Sequence, residues 1–119
     1  MKKAREKKYI DAHAIQKFVN RVEKKKGYKR DPALVLRHLL EECGELSAAI
    51  WQLEKFTTDG LRAKRLNDIG RELSDVIFLA CYIADILGID MNKAIPDAME
   101  AVARQYGIDK NGKQHKEMI

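Results

Sequence analysis

An all-α domain of four helices is what this 119-residue sequence predicts, and three observations carry that reading. Apolar residues recur every three to four positions through four long segments. Helix punctuation surrounds those segments: Gly27, Gly88 and Gly107 follow the first, third and fourth, and Asp31 and Asp90 precede the second and fourth. No stretch reads as a convincing strand, and the connections are short, as in a helical bundle. At this length one domain is expected, spanning residues 9–107, with a basic N-terminal tail at 1–8 and a polar C-terminal tail at 108–119. Divided among several helices, so short a chain leaves some apolar faces without cover, so the bundle is expected to be completed by oligomerisation.

The first helix is expected from about Tyr9 to Lys26, where Ile10, Ala14, Ile15, Phe18, Val19 and Val22 recur at helical spacing. The run Lys24-Lys25-Lys26 reads as the cation-rich end of that helix, complementing its dipole. The alternative, that the run together with Lys29 and Arg30 contacts phosphates, is the less favoured reading. Asp31-Pro32 starts the second helix, aspartate as N-cap and proline in the first helical position, and the helix runs to about Lys55 or Phe56. Gly44 inside it costs about 1 kcal/mol relative to alanine, and a residue so small lets another backbone or a substrate come close.

Thr57-Thr58-Asp59-Gly60 reads as a loop. The third helix follows from about Leu61 or Arg62 to Leu87, and its second half is apolar nearly all round, the pattern of a central helix or a subunit interface. The fourth is capped by Asp90 and runs to about Gln105, with Pro96 expected to kink it or split off a short first turn.

The net charge of +5 is unevenly distributed. Residues 1–30 hold 12 Lys and Arg against 3 acids, whereas residues 31–107 hold 8 against 13. The acidic centre suits a cation-binding site, and the basicity belongs to the N-terminal segment. There is no signal-peptide pattern. The longest apolar run, Val76 to Ala84, is nine residues and too short to cross a bilayer, so a cytoplasmic protein is expected. Cys43 and Cys81 lack CxxC spacing and read as small buried hydrophobes.

Two acidic clusters lie on these helices: Glu41-Glu42-Cys43-Gly44-Glu45 on the second and Glu72-Leu73-Ser74-Asp75 on the third. At roughly 100° per residue, Glu42 borders the apolar stripe of Leu36, Leu39, Cys43, Leu46, Ile50 and Leu53, Glu45 is next out, and Glu41 is the most solvated. Glu72 and Asp75 share the sector of Val76, Leu79, Ile83 and Ile86. Burying unpaired carboxylates costs several kcal/mol each, so such groups are protonated, salt-bridged or bound to a cation. With no matching basic cluster, a hard divalent cation is favoured, Mg²⁺ with Mn²⁺ as substitute.

EECGE, a spacer from Leu46 to Arg71, and ELSD running into VIFLACYIA resemble the EExxE and ExxD signature of the MazG-like all-alpha nucleoside triphosphate pyrophosphohydrolases. The resemblance covers roughly Asp31 to Tyr106. It implies a four-helix MazG-like bundle, assembled as a homodimer or homotetramer, that holds Mg²⁺ on the second and third glutamates of EExxE and both acids of ExxD. Those positions are Glu42, Glu45, Glu72 and Asp75. It further implies cleavage of a nucleoside triphosphate between the α and β phosphates, giving a nucleoside monophosphate and pyrophosphate, with nucleotide-pool house-cleaning as a fitting role. Glu41 and Glu45 are the candidates to orient the attacking water, and Trp51 is a candidate for stacking on the base. Many members carry a lysine and an asparagine on the fourth helix; an ungapped reading puts Ala98 and Val102 there. Lys93 and Arg104 are then the candidates for phosphate contacts.

Three rivals stand beside this reading. A phosphoribosyl-ATP pyrophosphohydrolase-like enzyme of the same superfamily would share the metal site and differ in substrate. A di-iron bundle needs ExxH, and none of His13, His38 or His115 lies three residues after a glutamate. A non-enzymatic helical module would bind nucleic acid through the basic N-terminal segment, which leaves Glu72 and Asp75 without a purpose; nucleic acid and membrane are therefore not the expected partners.

Overall fold

The computed structural model describes residues 10–56 and 58–108. Four helices follow in order: α1 (Ala12–Lys26), α2 (Pro32–Phe56), α3 (Asp59–Leu87) and α4 (Met91–Tyr106), with no strand ladder among the described residues. The all-α expectation holds. The two tails lie outside the described residues, except for Ile108.

Local chemistry sets most of the boundaries. Asp11 accepts a hydrogen bond from the Ala14 N–H at 2.8 Å, so the N-cap is Asp11, and α1 starts there and not near Tyr9, which is outside the described residues. Asp31 likewise accepts from the Ala33 N–H at 3.0 Å, with Pro32 as the first residue of α2. Gly27, Gly88 and Gly107 end α1, α3 and α4 with φ of 68°, 71° and 64°, the left-handed region that costs glycine nothing.

Two further features differ from expectation. α3 starts at Asp59, two or three residues early, because Thr58 takes an extended conformation and its carbonyl accepts from Leu61 and Arg62. Asp59 then lies in the first turn, where a negative charge favours the helix dipole. α4 is one continuous helix through Pro96. Proline is its sixth residue, so a single backbone bond near the N-terminus is missing, and Asp90 holds that turn by accepting from the Asn92 N–H at 2.9 Å.

The long helices α2 and α3, joined by a two-residue link, pack side by side as an antiparallel hairpin. α1 lies against α3, and α4 packs on α1. Val19, Val35 and Tyr82 bring α1, α2 and α3 together in a small core, with Ile15, Phe78, Leu79 and Ile83 around it. Phe18 and Phe78 add a tilted ring contact at 5.7 Å. The link between α1 and α2 is clamped by Arg30, whose Nη1 lies 2.6 Å from buried Glu23 and 3.2 Å from Asp85.

The cover is thin. No side chain among the described residues is wholly enclosed. On α2, Leu39, Leu46 and Leu53 are half-buried, whereas Leu36, Cys43 and Ile50 are exposed. The buried edge of α2 is thus rotated toward Glu42, and only part of the apolar stripe is covered within one chain. Cys43 accordingly differs from expectation, being exposed, while Cys81 is buried as expected. No helix among the described residues is long and apolar enough to cross a membrane.

Candidate metal and substrate site

Glu42 and Glu45 are three residues apart on α2 and so share a face. The antiparallel hairpin brings Glu72 of α3 to that face, and one carboxylate oxygen from each of the three lies within 4.8 Å of the others. None of the three is ion-paired with a basic side chain among the described residues. Glu42 and Glu72 each turn Oε2 into the helix interface, where no protein donor reaches it.

The cost of that crowding appears on Glu42. Its carboxyl is pushed up to about 7, first by a hydrogen bond with Glu72, then by burial, then by the negative charges of Glu45, Glu72 and Asp75. Without a cation the cluster keeps a proton that an isolated glutamate would have lost. Three converging carboxylates with two unsatisfied buried oxygens suit a hard dication that prefers oxygen ligands, so the residues present fit Mg²⁺ or Mn²⁺.

The other acids take different positions. Asp75, one turn beyond Glu72 on α3, is exposed and lies outside the group of three, though its charge acts on Glu42. Its sector of α3 is apolar in sequence, but α1 covers that sector only around Phe78 and Tyr82 and leaves Asp75 open. Glu41 is exposed, and its Oε2 lies 3.5 Å from Nδ1 of His38, one turn earlier on α2.

Beside the carboxylates lies a cavity of about 500 Å³ between α1, α2 and α3. Its walls include Phe18, Val35, Phe78 and Leu79, and Glu42 and Asp75 stand in its lining. An apolar chamber with a few polar groups at one end is the usual form of a small-molecule site, and the volume falls within the roughly 300–1,000 Å³ such sites occupy. Tyr28 and His38 also line it, and the sequence reading missed both. His38 had a signal, four residues before Glu42 and so on its face; Tyr28, in a short link, had none. Lys29 lines the cavity too, while Arg30 beside it is taken up by Glu23 and Asp85.

Three sequence candidates lie elsewhere in the chain. Trp51 is exposed at the far end of α2, about 9 Å along the helix from Glu45 at 1.5 Å per residue, with its ring edge-on to Phe56 at 5.0 Å. Lys93 pairs with Asp97 at 2.8 Å and Arg104 with Glu100 at 3.2 Å, both on α4. Gly44 has open space, since a Cβ placed there meets nothing within 4 Å. Whatever approaches it is not part of the same chain's described residues.

Comparison with known proteins gives one match. The family model described as the MazG nucleotide pyrophosphohydrolase domain matches residues 30–106. No curated protein matches the chain, and no solved structure does.

Proposed function

The chain belongs to the MazG nucleotide pyrophosphohydrolase domain family, and from that premise we propose that it hydrolyses a nucleoside triphosphate between the α and β phosphates, releasing a nucleoside monophosphate and pyrophosphate. The observation that carries this reading is the cluster of Glu42, Glu45 and Glu72 at the edge of an apolar cavity. A nucleotide has the same two halves: a polyphosphate that needs a cation and a base that needs apolar walls.

Glu42, Glu45 and Glu72 would hold Mg²⁺, with Asp75 joining from its exposed position one turn away. Mg²⁺, when bound, neutralises charge on the phosphates and makes phosphorus a better electrophile. The residues of the chain do the rest. The cavity lined by Phe18, Val35, Phe78 and Leu79 takes the base and excludes water from it. Glu45, the exposed member of the cluster, accepts one proton of a water molecule as the water oxygen bonds to phosphorus; the phosphorus–oxygen bond to the pyrophosphate leaving group breaks with its electron pair. Glu41, held toward His38, is a positioning residue for that glutamate.

A homodimer or homotetramer belongs to the same reading. Ile95, Met99 and Val102 form an exposed apolar stripe on α4, at helical spacing, and Leu73 and Ile77 are exposed on α3. A second copy of the chain would cover these faces and could carry Trp51, Lys93 or Arg104 of one protomer toward the cavity of another. The setting for such an enzyme is the cytoplasm, and house-cleaning of the nucleotide pool is the role a substrate panel addresses.

The test is pyrophosphate release from canonical and modified nucleoside triphosphates and phosphoribosyl-ATP, with Mg²⁺, Mn²⁺ or EDTA, comparing wild type with Glu72→Ala. Metal-dependent release that is lost in a variant of unchanged helical content is the expected result. Wild type that releases pyrophosphate from none of them, or release untouched by Glu72→Ala, would overturn the reading.

A further inference from the structure

A polyphosphate carries more charge than a single dication offsets, and proteins usually add a guanidinium or ammonium. The helix-4 candidates are engaged, Lys93 by Asp97 and Arg104 by Glu100, and Arg30 is engaged by Glu23 and Asp85. Two basic side chains near the carboxylates have no ion pair among the described residues: Lys29, in the cavity lining, and Arg71, which alone of the two stands on α3 beside the acids. Arg71 is exposed and makes no ion pair or hydrogen bond among the described residues.

Its surroundings point to a ligand. Asn67, Gly70, Arg71, Ser74, Asp75 and Phe78 line a groove on one face of α3. Asp75 and Phe78 also line the apolar cavity, so groove and cavity meet at these two side chains. Arg71 and Asp75 are four residues apart, as are Asn67 and Arg71, which stacks the three along the helix. A molecule whose apolar end fills the cavity and whose other end leaves past Asp75 runs along Arg71 and then Asn67. Glu72, adjacent in sequence, points away from this face into the α2–α3 interface.

We infer that Arg71, with Asn67 one turn before it, grips the outer phosphates of a polyphosphate ligand as it leaves the cavity past Asp75. This rests on the nucleotide reading for the identity of the ligand, and it adds the place where the β and γ phosphates lie. Arginine offers two parallel N–H donors to a phosphate, and the Asn67 amide adds a neutral donor at the far end of the groove. The ligand class is a chain of at least two phosphates beyond the one at the carboxylates; a monophosphate does not reach.

The test uses the full chain and inorganic tripolyphosphate with Mg²⁺ as the probe, followed by titration calorimetry on wild type, Arg71→Met and Arg71→Lys. Arg71→Met is expected to weaken tripolyphosphate binding about 10-fold, the size of one charge-assisted hydrogen bond to phosphate, with partial recovery in Arg71→Lys. Mg²⁺ binding without phosphate and the affinity for nucleoside monophosphate should stay at wild-type values. Equal tripolyphosphate binding by wild type and Arg71→Met would overturn the inference. So would a parallel loss of monophosphate binding, or no binding of the probe to wild type. Should wild type release pyrophosphate from no nucleotide while binding Mg²⁺–tripolyphosphate in an Arg71-dependent way, the hydrolase reading fails and the polyphosphate groove stands. Turnover with an Arg71→Met KM equal to wild type is the converse.

Discussion

Glu42 of α2 and Glu72 of α3 bring carboxylate oxygens within 4.8 Å of each other across the helix interface, and hydrogen bonding to Glu72 is the first of the causes that push the Glu42 carboxyl up to about 7. A carboxyl held this close to other carboxylates keeps its proton more readily than an isolated one. Helix packing and the charge of the acidic cluster therefore act on the same pair.

A pH dependence follows for the metal-free protein. The folded-state value of Glu42 is raised above its ordinary 4.5, so its contribution to stability is fully present below about pH 4.5 and is lost as pH rises through about 7. In EDTA, the unfolding midpoint should fall between those values. Added Mg²⁺ should restore it, with a larger gain at pH 8 than at pH 5, because a cation binds the ionised cluster. Thermal unfolding followed by circular dichroism across that range checks both; a Mg²⁺ gain independent of pH would contradict the raised Glu42 carboxyl.

The two flanking glutamates should separate kinetically. Glu45→Gln is expected to lower kcat at least about 100-fold, the usual size of a lost general base, while Glu41→Gln stays within about 10-fold of wild type. Steady-state kinetics at saturating Mg²⁺ is the measurement. Equal losses in both variants would mean that Glu41 takes part directly.

Arg30 and Glu23 make a stability prediction of a different kind. Glu23 is 5% exposed and depends on the Arg30 guanidinium, whose Nη1 is 2.6 Å away. Removing one partner of such a pair leaves a buried charge, whereas removing both leaves an apolar gap. Arg30→Met should therefore lower the unfolding midpoint more than the double variant Arg30→Met with Glu23→Leu. Denaturation of the two variants and wild type, at one pH, decides it; additive losses would sink the argument.

Met99 tests the assembly. It is 48% exposed in the middle of the α4 stripe, between Ile95 and Val102. In a homo-oligomer closed over that stripe, Met99→Asp buries an unpaired charge and should yield monomers in light scattering at micromolar protein. A variant with the wild-type mass would place the interface on another face.

The sequence by itself determined the four helices, most of their capping residues and four acids that could share a cation, of which the structure gathers Glu42, Glu45 and Glu72. Those features depend on residues close along the chain: Asp31 bonds the turn beside it, Gly88 ends the helix it follows, and Glu42 and Glu45 share a face through helical spacing alone. Glu72 was legible for the same reason, as an acid on an apolar face. Only the tertiary structure decided which way each helix turns. The buried edge of α2 follows Leu39 and Leu46 and leaves Cys43 in solvent, and Asp75 stays exposed. The cavity depends on the same packing, since Phe18, Tyr28, His38 and Phe78 meet there from three helices and a link. Periodicity states that a face is apolar but not what covers it, because cover depends on how distant segments cross. For Ile95, Met99 and Val102 the cover is not supplied within the described chain, and the same reasoning carries from helix against helix to one copy against another.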